Sequence, residues 1–301
     1  MSVSVLYHSD FLNHDTGAGH PESPDRLRSC LSALESCEFS DQLSWKDPRP
    51  AAEDELEWVH TKEHIKHIKS ICDSGVGYID QDTPVCPESY NIALKSAGAW
   101  LDGVDEVIEG SSAFVLSRPP GHHAESDRAM GFCLFSNAAL AAAYALKQDG
   151  INKVGIFDWD VHHGNGTQNI VQSNPDIAYA SIHQFPFYPG TGSQLEKGDH
   201  SNVLNIPVPA NFGGEEYLQK FEAGVFPFLQ NFNPDILIIS AGFDAHRRDP
   251  LAGINLEKED YAYMTGQCLK IQSNILLGLE GGYDLRALEE CSVSVVNELV
   301  E

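Results

Sequence analysis

KVGIFDWDVHHGN, residues 153–165, decides how this chain is read. Lys153 to Phe157 is a short apolar run of the kind that forms a strand buried on both faces of a parallel sheet. Asp158, Asp160, His162, His163 and Asn165 follow at once. The pattern recurs along the chain. Ala113 to Leu116, Ile177 to Ile182, Ile236 to Ile239 and Ile275 to Leu279 read as further buried parallel strands. Helical patterns near Asn91 to Ile108, Ser136 to Lys147, Gly214 to Leu229, Lys258 to Ile271 and Leu285 to Val300 fill the gaps. This alternation predicts an α/β fold, a single doubly wound and mainly parallel sheet with helices on both faces. No repeat, low-complexity tract or long linker interrupts it, so residues 1–301 are expected to form one domain.

Each predicted strand runs into a polar cluster. The five are RPPGHHA (118–124), DWDVHHGN (158–165), SIH (181–183), SAGFD (240–244) and EGGYD (280–284). Ligands of open α/β sheets bind at the carboxyl ends of the strands, so these segments should converge on one crevice. Asp160 and His162, one residue apart at a strand end, can turn toward a common point, and Asp244 can join them from another strand. Three N/O ligands with one open position is the pattern of catalytic zinc, whose water has a pKa of about 7. His122 and His123 follow a Pro119-Pro120-Gly121 turn and can act as electrostatic partner and general base, with Asp158 and Asn165 as candidates to set their tautomers. Tyr283, behind Gly281-Gly282, can bring a hydroxyl to a developing oxyanion. Each feature alone has a plainer reading: a helix-capping carboxylate, a solvated histidine loop, a core tyrosine. Five coincident strand-end clusters weigh against all of these.

Composition narrows the partners. A chain of 301 residues with 42% hydrophobic content can bury a substantial core, and a formal net charge of −25 repels nucleic acid and anionic lipid while attracting cations. Seven cysteines without a C-x-x-C pair read as reduced thiols, none of them a metal ligand or nucleophile. The opening apolar run is too short for a signal peptide and no stretch approaches a membrane span, so a soluble, cytoplasmic protein is expected. His60, His64 and His67 stand at i, i+4 and i+7 with Lys62 and Lys66 between them, and read as one solvated helix face.

RPPGHHA (118–124), GFC (131–133), FDWDVHHGNGTQ (157–168), SIHQ (181–184), AGFDAHRRDPLAG (241–253) and LEGGYD (279–284) together resemble the histone deacetylase and acetylpolyamine amidohydrolase superfamily. HPESPDRL (20–27) resembles its class II branch. The resemblance implies the arginase/deacetylase fold and metal-dependent hydrolysis of a linear amide. It makes Asp160, His162 and Asp244 the ligands of one zinc ion per chain, His123 the general base and acid, and His122, backed by Asp158, its electrostatic partner. Asn165 stands where class I members carry an aspartate, and Tyr283 matches the oxyanion donor. Gly131 and Phe132 would line one wall of an acyl-lysine tunnel with Tyr188 opposite. Arg26 would lie by the exit of the acid product, and Asp82 would grip the substrate backbone. A structural potassium ion would use Asp158, Asp160 and His162 with the Ser181 and Ile182 carbonyls.

Leu251 follows Asp249-Pro250 where polyamine deacetylases place a glutamate, which favours acyl-lysine in a peptide or protein. An acetylpolyamine or other small acylated amine is the alternative. A non-catalytic acyl-lysine reader fits poorly with an intact ligand set, and arginase-like dimetal chemistry fits poorly with Gly164 and His246 at the positions that would need carboxylates. The long insertion by which dimeric polyamine enzymes close their tunnel is missing, so a monomer or weak dimer is expected.

Overall fold

The computed structural model describes residues 3–75 and 77–300. Its strands are β1 (Val3–Leu6), β2 (Leu43–Lys46), β3 (Gly77–Tyr78), β4 (Pro84–Val85), β5 (Ala113–Val115), β6 (Val154–Asp158), β7 (Ile177–Gln184), β8 (Val203–Val208), β9 (Ile236–Ala241) and β10 (Ile275–Leu279). β3 and β4 form a small antiparallel hairpin. The other eight make one sheet in the order β2-β1-β5-β10-β9-β6-β7-β8. All neighbouring pairs in it are parallel, so the expected mainly parallel sheet is parallel throughout.

The five expected strands lie in the middle of the sheet within a residue or two of their predicted ends. The three unexpected ones are the outer strands. β1 and β2 have four residues each, and β8 carries Asn205 and Pro207, which its edge position tolerates. Among the helices, Leu285–Val300 matches its expected range. The predicted Gly214 to Leu229 helix instead runs from Gly214 through a π-helical turn (Phe221–Val225) to Phe232.

Alternation along β10 shows how the layers attach. Leu276 and Gly278 face the helix Ser89–Ile108, where Gly103 sits on Leu276 and the Trp100 indole occupies the space a Gly278 side chain would need. A second helical layer, Pro24–Ser36, Lys258–Cys268 and Leu285–Val300, packs on itself. Buried apolar residues from Val3 to Val300 form one contiguous cluster. No helix among the described residues is long and apolar enough to cross a membrane. The polar clusters follow β5, β10, β9, β6 and β7, which are consecutive in the sheet. Segments scattered over the sequence therefore share one rim.

Candidate active site

β6 ends at Asp158, and the turn beyond it brings Asp160 and His162 against Asp244 from the end of β9. His162 Nδ1 lies 3.1 Å from both Asp160 Oδ1 and Asp244 Oδ2. One ligand atom from each of the three residues falls within 4.8 Å of the others. Both carboxylates are fully buried. Backbone amides hold them: Gly281 N–H donates to Asp160 Oδ2 (2.8 Å) and Val161 N–H to Asp244 Oδ1 (2.8 Å). Gly281 passes so close that a Cβ there would overlap both carboxylates. Burial, reinforced by Asp160, pushes the Asp244 carboxyl up to about 6. Burial opposes charge on His162, yet its hydrogen bonds to Asp160 and Asp244 raise it to about 10. Two buried carboxylates facing one imidazole create a demand for positive charge. Two oxygens and one nitrogen, with no thiolate, are a donor set that suits zinc.

The histidine pair follows β5 and is braced by a residue of the fifth cluster to which the sequence assigned no role. Glu280, at the end of β10, accepts the N–H groups of Gly121 (2.7 Å) and His122 (3.1 Å) on Oε2 and the Ser240 hydroxyl on Oε1 (3.1 Å). His122 Nδ1 lies 3.1 Å from Asp158 Oδ2, which also accepts the Tyr179 hydroxyl. His123 Nδ1 lies 2.8 Å from Asn165 Oδ1, and Asn165 Nδ2 donates to Glu125 Oε1 (2.7 Å). With acceptors opposite both Nδ1 atoms, the proton belongs on Nδ1 in each ring. The rings are 4.0 Å apart, but their charges separate. Burial disfavours a charged His122, yet Asp160 and Asp158 hold its pKa well above the ordinary value. Burial, then the positive neighbours His122 and His162, hold His123 well below it.

Aromatic walls surround these groups. Tyr188 stands edge-on to His123 (5.1 Å between ring centroids), and Phe187, unnoticed in the sequence, stacks on His162 at 5.1 Å. Gly131 and Phe132 both adopt left-handed backbone (φ 57° and 68°), and Thr83 Oγ1 accepts the Phe132 N–H at 3.1 Å. A Cβ at Gly131 would meet the His123 ring and lie 3.0 Å from the Tyr188 hydroxyl. The Phe132 ring meets His20 edge-on at 4.7 Å and Tyr283 at 6.0 Å. A cavity of about 520 Å³ opens beside Tyr188, lined also by Asp80, Gln81, Asp82, Arg128 and Met130. Leu251 is exposed and lies outside that lining.

Arg26 is fully buried, donating from Nε to the Gly282 carbonyl (2.6 Å), from Nη1 to Glu22 Oε1 (3.1 Å) and from Nη2 to the Glu280 carbonyl. Its Cζ sits 5.1 Å from the Tyr283 ring centroid. Burial raises the Tyr283 phenol well above its ordinary value, keeping it a donor. Asp158 and Ser181 are register partners on β6 and β7, and the Ile182 carbonyl accepts the Tyr217 hydroxyl at 3.1 Å. Of the braces the sequence did not reveal, only Glu280 left a signal, a charge ending an apolar strand.

One expectation is corrected. His60 precedes the helix Lys62–Asp73, and of the three histidines only His67 is exposed. His60 Nδ1 donates to the Glu125 carbonyl (3.0 Å) while Nε2 accepts the Ser136 N–H (2.9 Å), and His64 Nε2 donates to the Leu134 carbonyl (2.9 Å). Glu125, Leu134 and Ser136 supply these partners and Phe135 packs against both rings, so this face is buried.

Residues 20–299 match the histone deacetylase domain. The chain belongs to the histone deacetylase family. This member is similar to an uncharacterized protein of Synechocystis sp. (46% identity, 99% of each chain). It is also similar to a histone deacetylase-like amidohydrolase of Pseudomonas aeruginosa (36% identity, 94% of this chain and 77% of the relative). The crystal structure of the HDA15 HD domain superposes with a TM-score of 0.95 at 37% identity, over 99% of this chain and 89% of that one. Fold and family thus agree with the arginase/deacetylase architecture of an amidohydrolase.

Proposed function

We propose that this chain hydrolyses the side-chain amide of acyl-lysine in peptides or proteins. The observation that carries the reading is geometric: Asp160, His162 and Asp244 bring one ligand atom each within 4.8 Å of the others, beside a buried His122–His123 pair whose Nδ1 atoms face Asp158 and Asn165. Asp160, His162 and Asp244 would hold one zinc ion, which would supply Lewis acidity toward the amide carbonyl and lower the pKa of water toward neutrality. His123, oriented by Asn165, takes the proton of the attacking water and returns it to the departing amine. His122, backed by Asp158, offsets negative charge developing at the carbonyl, and the Tyr283 hydroxyl donates to the same oxygen. Gly131, Phe132 and Tyr188 enclose the aliphatic stem, and Asp82 accepts from the substrate backbone at the mouth. The carboxylate product leaves beside Arg26. Asp158, Asp160 and His162 with the carbonyls of Ser181 and Ile182 would hold a potassium ion. Leu251 offers no charge to a second ammonium, which favours peptide over polyamine.

The test is parallel turnover of an acetyl-lysine peptide and acetylspermidine by zinc-loaded protein, with a hydroxamate chelator as control. Faster peptide cleavage, lost with hydroxamate and in Asp244→Ala, is expected. Faster polyamine cleavage would overturn the lysine assignment, and turnover that survives hydroxamate would overturn the metal assignment.

A further inference from the structure

The loops after β9 and β10 meet at a buried carboxylate that has no part in this chemistry. Asp249 is 7% exposed. Its Oδ1 accepts the N–H of Leu251 (2.9 Å) and its Oδ2 the N–H of Tyr283 (2.7 Å), 34 residues further along the chain. Its own N–H donates to the His246 carbonyl at 2.8 Å, so the carboxylate projects from a fixed turn.

Tyr283 needs such a partner. It follows Gly281-Gly282, and Gly282 has φ 115°, where no Cβ limits the backbone. The neighbours of Tyr283 are each tied down. Gly281 donates to Asp160 and accepts the Phe243 N–H (3.0 Å), and the Gly282 carbonyl accepts Arg26 Nε. Asp284 caps the Leu285–Val300 helix by accepting the Ala287 N–H (2.7 Å) and pairs with Arg248. At Tyr283 itself the backbone donor is held by Asp249. With one oxygen turned to each loop, the short Asp249 side chain takes an N–H group from both at once.

We propose that Asp249 is a positioning residue: its carboxylate clamps the Tyr283 backbone to the turn that carries Leu251, and so fixes the arc of the phenol hydroxyl. The proposal rests on the proposed function, in which that hydroxyl donates to the reacting carbonyl oxygen.

The test uses Asp249→Asn, which keeps the volume but sets an amide NH₂ against one of the two N–H donors. On an acetyl-lysine peptide, kcat is expected to fall about 10- to 100-fold, the scale of a misplaced catalytic group, with KM within about twofold. In a Tyr283→Phe background the same substitution should cost less than about twofold, because the group it positions is already gone. Asp249→Ala, which removes both acceptors without adding a donor, should behave likewise. Hydrogen exchange read by mass spectrometry should speed up at the Tyr283 amide while β10 stays protected. Equal losses in both backgrounds, or unchanged exchange at Tyr283, would overturn the clamp. Absence of wild-type turnover would overturn the proposed function alone, since the exchange measurement still decides whether Asp249 holds the Tyr283 backbone.

Discussion

Among the described residues, two of the buried histidine pairs have opposite electrostatic fates. His122 and His123 have ring centroids 4.0 Å apart, His60 and His64 4.9 Å apart. In the second pair burial lowers both pKa values, that of His60 to about 3, since the hydrogen-bond partners of both rings are backbone groups. In the first pair two carboxylates override burial for one ring and leave the other neutral. Burial alone makes a histidine a neutral hydrogen-bonding strut. A buried carboxylate beside it makes a charge, and two unlike rings side by side make a base with an electrostatic partner.

The largest effect that would sharpen the contrast is on turnover. His123→Ala should lower kcat by about 10²- to 10⁴-fold with little change in thermal unfolding, whereas His60→Gln should leave kcat near wild type. A His60→Gln enzyme as inactive as His123→Ala would break the comparison. Next comes stability. Removing the His60 imidazole leaves the Ser136 N–H and the Glu125 carbonyl without their partner, which should cost about 1–3 kcal/mol at pH 7.5 by urea unfolding. The smallest effect is that penalty's pH dependence. The folded pKa of His60 lies below its unfolded value of 6.5, so the unfolded chain binds a proton the folded one refuses, and the stability involved is present above pH 6.5 and lost as pH falls toward about 3. The gap between wild type and His60→Gln should therefore narrow from pH 6.5 to pH 4. A constant gap would mean that His60 is not held neutral.

The centre of the fold was legible because β6, β7, β9 and β10 are apolar runs buried on both faces, which period and composition reveal. The outer strands were not, since four residues such as Leu43–Lys46 carry no period and their pairing is decided by neighbours distant in sequence. At the site, Asp160, His162, Asp244 and the histidine pair could be named because each ends a strand. Glu280 and Asp249 were not given roles, because their partners lie far along the chain: Glu280 binds Gly121 across 159 residues. His64 was misread for the same reason. Interleaved lysines suggest a wet face, but what dries it is a loop 70 residues away.

β10 lies between β5 and β9 and is the only strand among the described residues that pairs with both. Remove it and the sheet does not lose an edge; it separates into a three-stranded and a four-stranded piece, with the histidine pair on one and the candidate metal ligands on the other. In chain order β10 is also the last of the sheet's eight strands. The two halves of the candidate site are therefore joined within the sheet only through the strand that comes last.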